Sequence, residues 1–121
     1  MNHLVIVIGK TVDDKYYFRV RMDDGKILLT SRDYRHIERC MNTIYEIQQY
    51  NDSEWVKEYD ATNGHHYTLT GPWGKTIAES PFYRNVSEMK QDMDMVKQLI
   101  GKAEVIDNSA LVRFFRPVRI K

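Results

Sequence analysis

Cysteine is nearly absent from this sequence: Cys40 stands alone. A lone thiol excludes an intrachain disulfide and any cysteine-built zinc cage, and it fits a reducing compartment, the cytoplasm. Long apolar runs are missing too. The first one, Leu4 to Ile8, is far too short to span a bilayer and has neither a basic flank nor a small-residue cleavage site, so it reads as a strand. Charge of one sign is not in excess: 18 Lys and Arg face 17 Asp and Glu, a formal net charge of +1. No global field therefore draws the chain to nucleic acid or to a membrane, and such an affinity has to come from a local cluster. What is present, 42% hydrophobic and 29% charged residues in a chain of 121, suits one folded domain with a sizeable core.

The chain writes one pattern twice. "GKILLTSRDYR" at 25–35 returns as "GKTIAESPFYR" at 74–84, an offset of 49 that carries along the chain without a gap. Lys26 falls on Lys75, Ser31 on Ser80, Tyr34 on Tyr83 and Arg35 on Arg84, and apolar positions fall on apolar ones, Phe18 on Tyr67, Val20 on Leu69, Ile37 on Val86, Cys40 on Met89. Self-similarity at a fixed period is the mark of duplicated architecture.

Each copy predicts the same elements. "YYFRVRM" alternates, with Tyr16, Phe18, Val20 and Met22 on one side of a strand and Tyr17, Arg19 and Arg21 on the other; "HHYTLT" does likewise. Asp24-Gly25 predicts a hairpin turn before "KILLT", and "GPWG" the equivalent turn before "KTIAE". Ile37, Cys40, Met41, Ile44 and Ile47 then recur at helical spacing, as do Val86, Met89, Met93, Val96 and Ile100, so one face of each helix packs on the sheet. Asn85 with Glu88 predicts a capping box, and Gly101 a helix stop. A first strand at Leu4–Ile8, a middle strand in "EWVKEY" (54–59) and a last one in "AEVID" (103–107) complete two strand–strand–strand–helix–strand copies that share the middle strand.

An aromatic strand ("YYFRV", "HYTLT"), a glycine, a serine with tyrosine three residues on ("SRDY", "SPFY") and an amphipathic helix together resemble the YegP-like proteins, small bacterial proteins built from one or two copies of a domain of unknown function. The resemblance covers about residues 3 to 107 and departs from the family's usual pattern at the "GPWG" hairpin and at "RHIE" after the first tyrosine. It implies an α+β fold in which two tandem repeats make a single antiparallel sheet, exchange their C-terminal strands and carry both helices on one face. Residues 1–109 then form one pseudo-symmetric domain, repeat one at about 3–58 and repeat two at about 53–107 with strand 53–59 in common. Residues 110–121 are a basic, aromatic tail and a candidate extra edge strand. The family brings no established activity.

Catalytic patterns are lacking. "GPWGKT" imitates the end of a phosphate loop, but Leu69 stands where that loop needs glycine and a strand follows where it needs a helix. His65 and His66 are strand neighbours pointing to opposite faces, which keeps them from gripping one metal. Asp13, Asp14, Asp23 and Asp24 are turn residues, and Cys40 lies on an apolar stripe where a thiol is an inert small hydrophobe. The repeated residues are what a scaffold needs, so specific function belongs where the copies differ.

Two constellations exceed scaffold. Arg32, Arg35, His36 and Arg39 gather at the start of the first helix, where cations oppose the helix dipole and an anion would relieve the mismatch, unless Asp33, Glu38 or a strand carboxylate neutralises them. The tail "LVRFFRPVRIK" carries Arg113, Arg116, Arg119 and Lys121 with no acid, against the acidic stretch 46–60. On a sheet face left open by the helices, Tyr17, Arg19 and Arg21 suit either base stacking or a protein contact. The expectation is a non-enzymatic cytosolic interaction module, homodimeric through sheet edge and tail, with no metal, cofactor or membrane contact. The rival expectation is a binder of nucleic acid or phosphorylated ligands through Arg32, Arg35, Arg39, the open face and the tail.

Overall fold

The computed structural model of the chain describes residues 3–50, 55–61, 64–72 and 74–109. The tail with Arg113 and Arg116 lies outside the described residues. In chain order the elements are β1 (Leu4–Lys10), β2 (Tyr16–Met22), β3 (Ile27–Ser31), α1 (Ile37–Tyr50), β4 (Val56–Ala61), β5 (Gly64–Thr70), β6 (Thr76–Glu79), α2 (Val86–Leu99) and β7 (Glu104–Asp107). The strands form one sheet in the order β4-β5-β6-β3-β2-β1-β7.

The sheet is mixed, which corrects the antiparallel expectation. Six strands pair antiparallel, but β7 runs parallel to β1, with Val5 opposite Glu104 and Ile8 opposite Asp107. The reason is the connection. A two-residue turn forces its strands antiparallel, whereas β7 reaches the β1 edge through the long α2 crossover, which leaves its direction free. Each helix also passes the chain to the opposite side: α1 leads to β4, which pairs with β5, and α2 leads to β7, which pairs with β1.

Alternation sorts the strands into two faces. Leu4, Ile6 and Ile8 of β1 stand opposite Met22, Val20 and Phe18 of β2 and turn inward, joined by Leu29, Tyr67, Leu69 and Ala78. From the helices, Cys40, Ile44, Ile47, Met89, Met93 and Val96 close the same core cluster. Fully burying one such side chain contributes roughly 1.5–3 kcal/mol. Two expected stripe members fall outside: Met41 is 47% exposed and Val86 38%.

A bulge explains the double leucine of "KILLT". The β2–β3 register shifts between Val20↔Leu29 and Arg21↔Ile27, so Leu28 is the extra residue, and it joins Leu29 in the core. The same shift separates Leu69↔Ala78 from Thr70↔Thr76. Other geometry recurs at the same offset. Ser31 Oγ accepts from Phe18 N at 2.8 Å and donates to Arg32 O; Ser80 Oγ accepts from Tyr67 N at 2.9 Å and donates to Pro81 O. Tyr16 bridges Tyr34 as His65 bridges Tyr83, and Gly25 and Gly74 both take positive φ at the hairpin turns.

The end of α2 differs from expectation. Asn85 Oδ1 caps the N–H groups of Ser87 and Glu88, but Gly101 does not stop the helix in a left-handed turn. The chain tightens instead into a 3-10 turn, Ile100–Lys102, which buries Ile100 and leads straight into β7.

Candidate binding face and the Lys26 cluster

Core burial on one side of the sheet fixes what the other side presents. Register pairs carry a single row across the outer face: Val7, Arg19, Thr30, Glu79, Thr68 and Lys57. Beside it Tyr17 stands opposite Gly9, and a Cβ on Gly9 would come within 2.6 Å of the phenol ring, so glycine is what lets the ring lie flat across β1. The Arg19 guanidinium sits 5.2 Å from the centre of that ring. Arg21 is half-buried and donates from Nη1 to Met22 O at 3.1 Å.

The two halves differ on this face. Positions 49 later, Tyr17, Arg19, Arg21 and Arg32 are replaced by His66, Thr68, Thr70 and Pro81, and Thr30 by Glu79. The arginines thus belong to the first half alone.

The Arg32, Arg35, His36, Arg39 cluster is divided by the corner it occupies. Arg32 leaves β3, bonds from its N–H to Ile77 O at 3.1 Å, and holds its guanidinium 5.8 Å from the Tyr34 ring. Arg35 and His36 occupy the exposed corner, and Arg39 lies in the first turn of α1, over the opposite layer. Arg19, Arg32, Arg35 and Arg39 are all exposed. Among the described residues the ion pairs are made by Lys10, Lys15 and Lys26, and no carboxylate lies within salt-bridge distance of these arginines. Arg32 also borders a groove of about 410 Å³ along the β3–β6 seam, with Thr30, Glu79 and Pro81.

Aromatic rings replace arginine in the second half. His66 stacks on Tyr59 at 5.3 Å and meets the edge of Phe82 at 5.0 Å. Phe82 is 54% exposed and Tyr59 43%. The His66 Nδ1 and Thr68 Oγ1 atoms are buried without a hydrogen-bond partner. At the β4 edge, Lys57 and Glu58 are exposed charges of the kind that discourage strand-to-strand association.

A cluster that sequence reasoning missed joins the hairpin of the first half to the second helix. Lys26 Nζ lies 2.7 Å from Asp92 Oδ2 and 2.9 Å from Glu88 Oε2, and the Tyr83 hydroxyl donates to Asp92 Oδ2 at 2.8 Å. Asp92 is buried, and a groove of about 570 Å³ runs past Lys26, Phe82, Tyr83, Arg84 and Glu88. Hydrogen bonds from Lys26 to Asp92 and Glu88 raise the lysine pKa, and burial pushes up the phenols of Tyr83 and Tyr67. Groups held protonated in this way are not poised as bases or nucleophiles near neutral pH, so the cluster acts as a lock between elements. The available signal was Asp92 itself, a carboxylate at helical spacing between Met89 and Val96 on the apolar stripe.

Burial raises Cys40 to about 12, with Asp107 adding to the effect, so its thiol stays protonated. Among the described residues no three His, Cys, Asp or Glu side chains converge as a metal site, and no helix is long and apolar enough to cross a membrane.

No family model matches the chain. A UPF0339 protein of Pseudomonas aeruginosa is 23% identical over 104 residues, which cover 84% of this chain and 94% of the relative. The solution structure of a UPF0339 protein of Shewanella oneidensis matches with a TM-score of 0.82 at 18% identity, covering 88% of this chain and 92% of the other. That of the E. coli protein of unknown function yegP matches with a TM-score of 0.80 at 20% identity, covering 90% and 96%. The sequence match supports the YegP-like resemblance; the structural matches show the fold. None of these names carries an activity.

Proposed function

We propose that the chain is a non-enzymatic binding module whose contact surface is the arginine-bearing outer face and corner of its first half, and whose partner is nucleic acid. Sequence reasoning ranks a protein contact first; the geometry favours the rival. The observation that carries this reading is the unmatched state of Arg19, Arg32 and Arg35, exposed and without a carboxylate within salt-bridge distance among the described residues, while Lys10, Lys15 and Lys26 each have one. Unmatched arginines are well suited to phosphate, which they bind in a fork geometry. The converging titratable groups at Lys26 are engaged with one another, which supports the non-enzymatic part.

Fluorescence anisotropy with a labelled oligonucleotide at about 50 mM salt tests the reading. The Arg19→Ala, Arg32→Ala double variant is expected to lose at least about tenfold in affinity, roughly 1.4 kcal/mol. Equal binding by the variant, or none by the parent, overturns it.

A second reading is carried by Tyr59, His66 and Phe82, an exposed aromatic patch that fits a second copy of the chain. Sedimentation equilibrium tests it: a dimer that Phe82→Ser dissociates supports the patch, and a monomer at high concentration removes it. We read the chain further as a tandem doubling, supported by the serine bonds, bridges and bulges that recur 49 residues apart.

A further inference from the structure

Two kinds of contact residue share the outer face, one set in each half. Register carries a single row from Arg19 through Thr30, Glu79 and Thr68, and His66 stands two residues from Thr68 on the same side, opposite Tyr59. Arg19 on β2 and His66 on β5 are therefore three strand spacings apart across the sheet, ~14 Å. Between them runs the groove of about 410 Å³ along the β3–β6 seam, bordered by Arg32 and Pro81. Pro81 also borders the groove of about 570 Å³, which the exposed Phe82, the next residue, lines.

Charge does not account for the second half of this face. Tyr59, His66 and Phe82 hold one another ring to ring, and Tyr59 and Phe82 keep large exposed areas. At alternate positions of β5, His66 Nδ1 and Thr68 Oγ1 are buried with no hydrogen-bond partner, and Thr68 is only 4% exposed. Buried polar atoms in folded proteins are nearly always hydrogen-bonded. Two such orphans on one strand face, next to exposed rings, mark a place where the missing partner arrives with a ligand that has both a flat apolar surface and a polar rim. An unpaired nucleobase has both, a stacking face and an edge of donors and acceptors.

Resting on the nucleic-acid reading above, we infer that the ligand is bound through unpaired bases taken up by the Tyr59–His66–Phe82 patch of the second half, while Arg19 and Arg32 hold its phosphates and the seam groove carries the backbone between them. A base that slides in beside Phe82, whose ring belongs to the β6–α2 connection and not to a strand, stacks on it and brings its edge to the two orphaned atoms. A duplex keeps its base faces inside the stack and offers nothing to the rings. Stacking releases no counterions, whereas arginine contacts to phosphate do, so the two halves of the site carry different salt signatures.

The experiment measures log K against log salt concentration, with the full chain, for three labelled probes of about 12 nucleotides: a thymidine single strand, its duplex with the complementary strand, and an abasic strand with the same sugar-phosphate backbone. The parent is expected to prefer the single strand at least about tenfold over both other probes. Tyr59→Ala with Phe82→Ala is expected to weaken single-strand binding about five- to a hundredfold, to leave the slope within about 0.3 of the parent, and to bind the abasic strand as the parent does, because rings are lost and no phosphate contact is. Arg19→Ala with Arg32→Ala is expected to lower the slope by about 1.4, two contacts at ~0.7 each. A ring variant that binds the single strand as tightly as the parent overturns the stacking site, and where it has also lost a dimer in sedimentation the patch belongs to a second copy; the nucleic-acid reading survives either result if the arginine variant still binds less tightly. A ring variant that loses the abasic strand equally acts through the fold and overturns the stacking site as well. A duplex bound as tightly as the single strand overturns the choice of unpaired bases. No binding of any probe by the parent brings down both readings.

Discussion

Lys26 Nζ lies 2.7 Å from Asp92 Oδ2, tying the β2–β3 hairpin to the buried face of α2. Among the described residues nothing equivalent exists at the matched position, because Thr43 and Arg39 occupy the places that correspond to Asp92 and Glu88. The lysine is written twice and its partners once. Removing it leaves the Asp92 carboxylate, 5% exposed, with the Tyr83 hydroxyl as its remaining side-chain partner among the described residues.

Lys26→Ala is therefore expected to destabilise the chain by about 1–2 kcal/mol, less than a fully buried pair because the ammonium is partly solvated. Lys75→Ala, at an exposed site, should stay within about 0.5 kcal/mol of the parent. Urea titrations of both variants check this. Equal losses would show that the ion pair contributes nothing specific.

Ser31 and Ser80 each accept a buried backbone N–H, from Phe18 and Tyr67. Alanine at either position leaves that donor unsatisfied, at a cost of about 1–3 kcal/mol. Matched environments predict matched losses, and a gap above about 1 kcal/mol between the two variants would count against the doubling.

Stability is expected to fall as pH rises above about 10. Hydrogen bonds to carboxylates raise Lys26, and burial raises Tyr67 and Tyr83, so the folded chain keeps protons that the unfolded chain releases near their ordinary values of about 10. Below those values both states hold the protons and the contribution is complete. Urea midpoints at pH 8, 9, 10 and 10.5 test the sign: a flat or rising series contradicts it.

Cys40 should resist alkylation in the native state. Its thiol is buried and raised to about 12, which leaves almost no thiolate at pH 8. Iodoacetamide labelling followed by mass spectrometry is expected to mark it only after denaturant is added, and prompt native labelling would refute the burial.

Glu79 sits one strand beyond Thr30 in the row that contains Arg19. Glu79→Gln removes a like charge from the path of a phosphate and is expected to tighten oligonucleotide binding about two- to fivefold, roughly 0.4–1 kcal/mol, as read by anisotropy. Weaker binding by this variant would place the ligand elsewhere.

Much of the fold was legible because its signals are local. Alternation in "YYFRVRM" assigned Phe18 and Val20 to the core and Arg19 to the open face; Gly25 and Gly74 marked turns; the spacing of Cys40, Ile44 and Ile47 oriented α1. Local patterns miscarried where neighbours in space decide. Met41 fits the helical period yet faces solvent, Gly101 was bypassed because burying Ile100 favours a tightened turn, and Leu28 entered the core only through a bulge in the pairing with β2. The candidate site was half legible. Its arginines could be named from the sequence, but their lack of carboxylate partners could not, since Asp33 and Glu38 are near them along the chain and pairing depends on where side chains point.

Residue order alone specified strands and a helix twice over, one thiol too isolated for a disulfide, and arginines at 19, 21 and 32 with no counterpart 49 residues on, because period, spacing and composition act over a few residues at a time. Packing between distant segments settled that β7 joins β1 in parallel, that Lys26 finds Asp92 across 66 positions of chain, and that Asp107 comes to lie opposite Ile8. Those relationships arise from a crossover and from burial, and both are settled when distant segments compete for the same sheet edge and the same core.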